Sequence, residues 1–240
     1  MYKRVLLKLS GEALKGNSQH HILDVSCLKQ FATVIALLHE KGIEIAIVIG
    51  AGNIWRGKLA KEIGINPVSA DYMGMMGTVI NAAALSSSLK ENCGVDSVVF
   101  SAIPEVESVS VPYDKDAVNK ALDEGKVVFL AGGTGKPFYT TDTAAALRAL
   151  ELNCDAILVG KHGVEGVYDK DPRENPDAKF IKTLTFEEML EKHLQIMDLS
   201  AIELIKNSNI DVRIFSMKEP ENFLKVVQGS DIGTTMKRGK

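Results

Sequence analysis

Apolar runs rich in β-branched residues recur along the chain at Val5–Leu9, Ile43–Ile49, Ser97–Ser101, Val127–Ala131, Ala156–Val159 and Val212–Phe215, each bounded by glycine or polar turn residues. Short runs of this kind without regular polar alternation read as strands buried on both faces. Between them lie helix-like segments: Ser26–Lys41 stopped by Gly42, Ala70–Asn92 stopped by Gly94, Asp114–Glu124 stopped by Gly125, and Thr143–Leu152. Strand and helix alternate from one end to the other, which predicts an α/β fold: a three-layer α/β/α sandwich with a central, mostly parallel sheet. In such a fold ligands sit beyond the carboxyl ends of the strands. The stretch GVEGVYDKDPRENPDAKFIKTLTFEEML breaks the rhythm, being dense in Pro, Asp and Lys around two short apolar pieces, and reads as a hairpin excursion before a helix. No repeat, low-complexity tract or Pro/Ser-rich linker marks a second domain, so residues 1–240 are expected to form one.

Composition narrows the function classes. With 240 residues and 45% hydrophobic content the chain can bury one large core. Its 28 Lys and Arg against 31 Asp and Glu give a net charge of −3, which supplies no basic field for nucleic acid or anionic lipid. Neither is expected as a partner, and any anion must be caught locally. Cys27, Cys93 and Cys154 form no C-x-x-C pair and stand near no histidine cluster, which argues against a zinc site or a disulfide framework and suits a reducing cytosol. The chain enters a strand within a few residues without a leader pattern, and no uncharged apolar run reaches the ~18 residues of a membrane helix. A soluble, cytoplasmic protein is expected. The scattered His20, His21, His39 and His193 read as solvated, and Met73, Met75 and Met76 as helix packing.

Three glycine-bearing loops follow strands. In VLLKLSGEAL, Lys8 ends a strand while Ser10 and Gly11 open the next turn, bringing one ammonium and several backbone N–H groups to a strand's carboxyl end, a nest suited to phosphate oxygens. Taken alone, Lys8 reads equally well as a lysine snorkelling from a sheet end. In IVIGAGNIWRG, Gly50 and Gly52 begin a G-x-G-x-x-G pattern that Trp55 ends, so a dinucleotide fingerprint is incomplete. What remains is a glycine-lined turn leading to Arg56, whose fork holds a phosphate bidentately or, more blandly, forms a surface ion pair. In AGGTGKPFYTTDTAAAL, Thr134, Gly135, Thr140 and Thr141 offer hydroxyls and amides at a helix N-terminus, and Lys136 before Pro137 is no Walker lysine. Asp142 reads either as a capping carboxylate or as a fixed anion that orients Lys8 and metal-bound phosphates.

KLSGEAL, IGAGNIWRG, ADYMGMMGTVINA, GGTGKPFYTTDTAA, GVEGVYDKDP and IMDLSA, in this order over residues 3 to about 202, resemble the amino acid kinase superfamily and, within it, the bacterial UMP kinases. The ending RIFSM…GTTM fits as well. The resemblance implies transfer of the γ-phosphoryl of ATP to UMP, with Mg²⁺ accompanying ATP, in pyrimidine nucleotide synthesis. It implies catalytic roles for Lys8 and Asp142, with Lys8, Leu9, Ser10, Gly11, Gly52, Arg56, His162, Tyr168 and Asp171 binding ATP. Ala51, Asp71, Thr134, Gly135, Lys136, Pro137, Phe138, Tyr139, Thr140 and Thr141 would bind UMP, with Asp71 on the ribose. Gly52 and Arg56, with Ala51, would line the region between donor and acceptor phosphates. The acceptor part would span about 1–150 and the ATP part about 151–240. The resemblance also implies a homohexamer, inhibited by UTP and activated by GTP.

The chain departs from the family pattern at Lys136, where Asn is common, at His162, where Thr or Asn is common, and in KGNSQHHILD, which lacks the glycine-rich pattern tied to the GTP response. Two other readings stay open on this scaffold. A kinase of small carboxylates such as acetylglutamate or carbamate commonly carries a second lysine before the late helix, and QIMDLSAIEL has none. A nucleotide-binding storage or sensor protein would not need both Lys8 and Asp142.

Overall fold

The computed structural model describes residues 2–18, 20–161, 164–194, 196–217, 219 and 221–239. The chain runs β1 (Arg4–Leu9), α1 (Gly11–Lys15), α2 (Val25–Glu40), β2 (Glu44–Ile49), α3 (Lys58–Glu62), α4 (Pro67–Cys93), β3 (Ser97–Ser101), β4 (Val111–Pro112), α5 (Lys115–Asp123) and β5 (Val127–Ala131). It continues through α6 (Thr141–Glu151), β6 (Ala156–Lys161), β7 (Val167–Tyr168), β8 (Phe180–Ile181), β9 (Thr183–Thr185), α7 (Phe186–Glu191), α8 (Leu199–Ile205), β10 (Asp211–Ser216), α9 (Asn222–Val227) and β11 (Thr234–Lys237). One nine-stranded sheet has the order β4-β3-β5-β2-β1-β6-β10-β11-β9. Its neighbours pair in parallel except β10 and β11. The predicted α/β/α sandwich around a mostly parallel sheet is therefore present, with the six predicted strand runs as β1, β2, β3, β5, β6 and β10. The excursion is the antiparallel hairpin β7–β8, set apart from the main sheet and followed by α7.

Strand β1 lies at the centre, bonded to β2 and β6, and its alternation splits the core. Val5, Leu7 and Leu9 face the cluster built on α2, α4 and α9 with Phe31, Ile35, Leu85 and Phe223. Leu6 faces the opposite cluster, built on α5, α6 and α8 with Leu122, Ala145, Ala149 and Ile202. Because successive side chains point to opposite faces, Lys8 shares the face of Leu6 and so points toward α6. Burial of some thirty apolar side chains on each side supplies the main stabilisation of this three-layer arrangement.

Two helices begin earlier than their periodicity suggests. Helix α4 starts at Pro67, because proline's fixed φ suits the first helical position and the Asn66 side chain accepts the Val68 N–H at 2.9 Å. Helix α6 starts at Thr141 with Thr140 as its N-cap, whose Oγ1 accepts the N–H groups of Asp142 at 3.0 Å and Thr143 at 3.2 Å. Asp142 thus stands in the first turn and does not cap the helix.

Candidate active site

Parallel strands β1, β2, β5 and β6 end on one edge of the sheet, and the three glycine-bearing loops meet there. The approach of the first two loops depends on Gly11, where a Cβ would stand 2.4 Å from the Gly50 carbonyl oxygen and 2.4 Å from Asn53 Oδ1. Ser10 caps the short helix α1 by accepting the Glu12 N–H at 3.3 Å. Leu9 is fully buried, and its carbonyl accepts the Gly50 N–H at 2.9 Å, which ties the two loops together.

Lys8 Nζ lies 2.7 Å from Asp142 Oδ1, with the side chains only 17% and 21% exposed. The ion pair joins the carboxyl end of β1 to the first turn of α6, where the helix dipole also favours the carboxylate. A second lysine stands beside it. Lys161 ends β6 next to β1, and its ammonium donates to the Ile196 carbonyl at 3.3 Å. Burial pushes its pKa below the usual lysine value, the positive Lys8 pushes it lower still, and Asp142 partly opposes both. Asp198, the N-cap of α8, accepts the Ala201 N–H at 2.8 Å, the Thr143 hydroxyl at 3.1 Å and the Thr140 hydroxyl. The N-terminus of α6, and Asp142 with it, is therefore fixed from two directions.

A cavity of about 330 Å³ opens on one side of this centre and is lined by Ala51, Gly52, Trp55, Asp71, Thr134, Lys136, Tyr139, Thr140 and Thr141. Of the residues assigned to UMP, Ala51, Asp71, Thr134, Lys136, Tyr139, Thr140 and Thr141 are brought together there; Gly135, Pro137 and Phe138 do not line it. Gly135 shapes the loop instead: its φ is +77°, and a Cβ would stand 2.5 Å from the Ala102 carbonyl oxygen. Phe138 takes φ +70° and is 73% exposed, while its N–H donates to the Asp71 carboxylate at 2.7 Å. That bond pins the loop to α4.

On the other side, a cavity of about 640 Å³ carries Asp142, Lys161, Leu194 and Asp198, and shares Lys161, His193, Leu194 and Ile196 with one of about 560 Å³. The latter includes Tyr168 and Asp171. Asp171 is held by Arg173, which donates to it at 2.7 and 3.0 Å and keeps its pKa below the usual carboxylate value. His162 lies outside the described residues. Arg56 is exposed and its guanidinium pairs with Glu12 of α1, so it rests in the bland surface pair at the rim.

Lys161 and Asp198 are not among the candidates of the sequence, and His193, which lines both larger cavities, reads there as solvated. Lys161 carried the signal that picked out Lys8, a lysine at the carboxyl end of an apolar strand, in AILVGK. Asp198 carried the signal of an N-cap before the apolar LSAIELI. His193 lay in a polar helix end with nothing to set it apart.

A mostly parallel α/β sheet, glycine loops at its strand ends, a lysine–aspartate pair beside a cavity at that edge and no P-loop define a phosphoryl-transfer scaffold of the amino acid kinase type. The amino acid kinase family profile matches residues 3–216. The chain is 45% identical to a uridylate kinase of Mycoplasma capricolum over 228 residues, covering 95% of this chain and 94% of that protein. It is similar to the crystal structure of a UMP kinase from Bacillus anthracis, with a TM-score of 0.94 and 38% identity over 100% of this chain and 97% of the other. A UMP kinase structure from Ureaplasma parvum gives a TM-score of 0.92 and 36% identity over 99% and 100%. The chain belongs to the amino acid kinase family, and the relatives named here are uridylate and UMP kinases.

Proposed function

We propose that the chain transfers the γ-phosphoryl group of ATP to the phosphate of UMP, giving ADP and UDP for pyrimidine nucleotide synthesis in the cytoplasm. The observation that carries this reading is the Lys8–Asp142 pair: Asp142 lines a cavity that shares Lys161 with the one of Tyr168 and Asp171, and follows directly on Thr140 and Thr141, which line the cavity of Asp71 and Thr134. UMP occupies the cavity of Asp71 and Thr134, within the part formed by about 1–150, and ATP that of Tyr168 and Asp171, within about 151–240. Phosphoryl transfer asks the protein for positioning and charge neutralisation. Lys8 and Lys161 stabilise the oxygens of the group in transit, the loop amides hold the donor phosphates, and Asp142 keeps the cations apart and aimed. An oxygen of the UMP phosphate attacks in line, and since it is already ionised near neutral pH no general base is needed.

Among the described residues no group of three or more His, Cys, Asp or Glu could cage a metal ion. In this reading Mg²⁺ accompanies ATP and would be held mainly by its phosphates and water, the usual habit of this ion, with Asp142, the carboxylate paired to Lys8, available to it. Bound there, Mg²⁺ neutralises phosphate charge. The test is ADP formation with UMP, CMP, acetylglutamate and carbamate offered in turn. Turnover with UMP alone, or with UMP far above CMP, supports the reading; turnover with a carboxylate or carbamate overturns it.

Arg56 then swings from Glu12 to phosphate when nucleotide is bound. Arg56→Lys is expected to raise the UMP half-saturation by roughly 1–3 kcal/mol, because a bidentate charged pair becomes a point contact. Steady-state kinetics decide it: an unchanged KM leaves Arg56 in its surface pair.

The homohexamer belongs to the same reading, and α4 supports it. Val68, Tyr72, Met76 and Ile80 are exposed at four-residue spacing, while Met75 packs inward. From Tyr72 to Leu89 the helix carries no charge. An uncharged helix stretch with large apolar side chains exposed in a row is normally covered along that row. A second copy of the chain covers this one, and Ile80→Glu is expected to shift sedimentation toward smaller species with little loss of secondary structure. Sedimentation like that of the parent protein would rule this face out. UTP, which shares base and ribose with UMP, acts in this reading as an inhibitor; a response to GTP is no part of it, because KGNSQHHILD lacks the glycine-rich pattern tied to that response.

A further inference from the structure

Helix α4 buries apolar residues at Ala70, Met75, Val79, Ala82 and Leu85, but among them it also buries a hydroxyl at Thr78, which is 8% exposed. That hydroxyl donates to the Met75 carbonyl at 2.6 Å and accepts the Gly132 N–H at 2.8 Å. Gly132 opens the loop whose Gly133, Thr134 and Lys136 line the acceptor cavity. At the far end of this stretch the Phe138 N–H is held by Asp71, which also stands on α4, two turns before Thr78.

Nothing in α4 itself calls for this hydroxyl. Valine has nearly the same shape, and a threonine that bonds back to its own helix backbone does little for that helix. The loop does call for it. Gly132, Gly133 and Gly135 take φ of +75°, +58° and +77°, and glycines in such a turn have the most conformational freedom to lose on ordering. The turn's own bonds, from the Gly135 N–H to the Gly132 carbonyl at 2.9 Å and from the Lys136 N–H to the Thr134 hydroxyl at 3.3 Å, shape it without tying it to the rest of the fold. From outside, Arg148 adds a long bond of 3.4 Å to the Gly133 carbonyl. The short bond at the start of the turn is the one to Thr78.

We propose that Thr78 is a positioning residue for the acceptor nucleotide: its hydroxyl anchors the start of loop 132–138, so that Thr134 and Lys136 meet the nucleotide in one fixed arrangement. This rests on the reading that the cavity holds UMP. It adds that α4 clamps the acceptor loop at both ends, through Thr78 and Asp71.

Thr78→Val keeps the shape, removes the hydroxyl and strands the buried Gly132 N–H. It is expected to raise the KM for UMP about tenfold, the scale of one lost hydrogen bond. The KM for ATP should move less than about twofold, because no residue of loop 132–138 lines the cavities on the ATP side. Thr78→Ser restores the hydroxyl and should stay within about threefold of the parent protein for both substrates. A threonine that serves the fold alone gives a lower melting temperature without this split between the two constants, and that result overturns the proposal. A Thr78→Ser variant as impaired toward UMP as Thr78→Val overturns it too. If Thr78→Val does not fold, Thr78→Ser is compared with Thr78→Cys, whose thiol is a weaker acceptor of similar shape. A higher KM for UMP in the cysteine variant supports the anchor, and equal values overturn it. Calorimetry of UMP on the unmodified protein separates the premise from the proposal: no binding there sinks the reading of the cavity and the role of Thr78 with it, whereas binding with unsplit constants sinks the role alone.

Discussion

Lys8→Ala is expected to lower kcat by about 10²–10³-fold while UMP affinity stays near that of the parent protein, the scale seen when one preorganised electrostatic donor is removed. The ammonium stands near the carboxyl end of the central strand, 2.7 Å from Asp142 and on the sheet face toward α6, and Asp142 lines the cavity that also carries Lys161. Negative charge is spread over the transferring oxygens only while they are in transit, so a cation placed there acts on the transition state more than on either bound nucleotide. Removing it also leaves Asp142 with Lys161 as the remaining cation of this cluster. The measurement is steady-state turnover at saturating ATP and UMP, paired with calorimetry of UMP. A variant that kept most of its kcat would return Lys8 to the role of a lysine at a sheet end.

How much of this was legible in the sequence depended on the range of the signal. The interior strands and long helices could be read because each carries its own apolar run or periodicity over four or more residues and is bounded by glycine or polar residues. Strands β9 and β11, with three and four residues, could not: TLT and TTMK have no pattern of their own and pair only because the chain returns to the edge of the sheet. The site divided in the same way. Lys8, Asp142 and the threonines stand in loops whose glycines and hydroxyls announce close backbone approach. The pairing of Lys8 with Asp142 spans 134 positions and follows from Lys8 taking the face of β1 that α6 covers, so the sequence left it as one of two readings of Asp142 and the fold decided between them. Lys161 shows the cost of reading one motif at a time. Its burial and its position beside Lys8 exist only once β6 lies against β1. Asp198 is the converse case, a residue whose local signal was that of an ordinary helix cap and whose hold on Thr140 and Thr143 depends on α6 and α8 packing together.

Asp142→Asn separates a carboxylate that serves the helix from one that serves the chemistry. The helix has its own cap: the Thr140 hydroxyl accepts the amides of Asp142 and Thr143, and Asp198 fixes that hydroxyl. What the helix loses is one negative charge in its first turn, worth about 0.3–1 kcal/mol, so the melting temperature should fall by only a few degrees. The loss at the centre is larger. Asp142 is the anion that Lys8 touches and that opposes the effect of Lys8 on the buried Lys161. An uncharged amide of the same shape neither pairs with an ammonium nor offsets two neighbouring cations to the same degree. Both lysines would then repel one another without compensation and leave the positions in which they meet the transferring group. A fall in kcat on the order of 10²-fold is expected, with folding spared. In the double variant Lys8→Ala/Asp142→Asn the two losses should combine to much less than their product, since each removes the same pair. Turnover and thermal melting on the three variants decide it. Full activity in Asp142→Asn removes the residue from the chemistry, a collapse in melting temperature assigns the carboxylate to the helix, and strictly multiplicative losses show that Lys8 and Asp142 act apart.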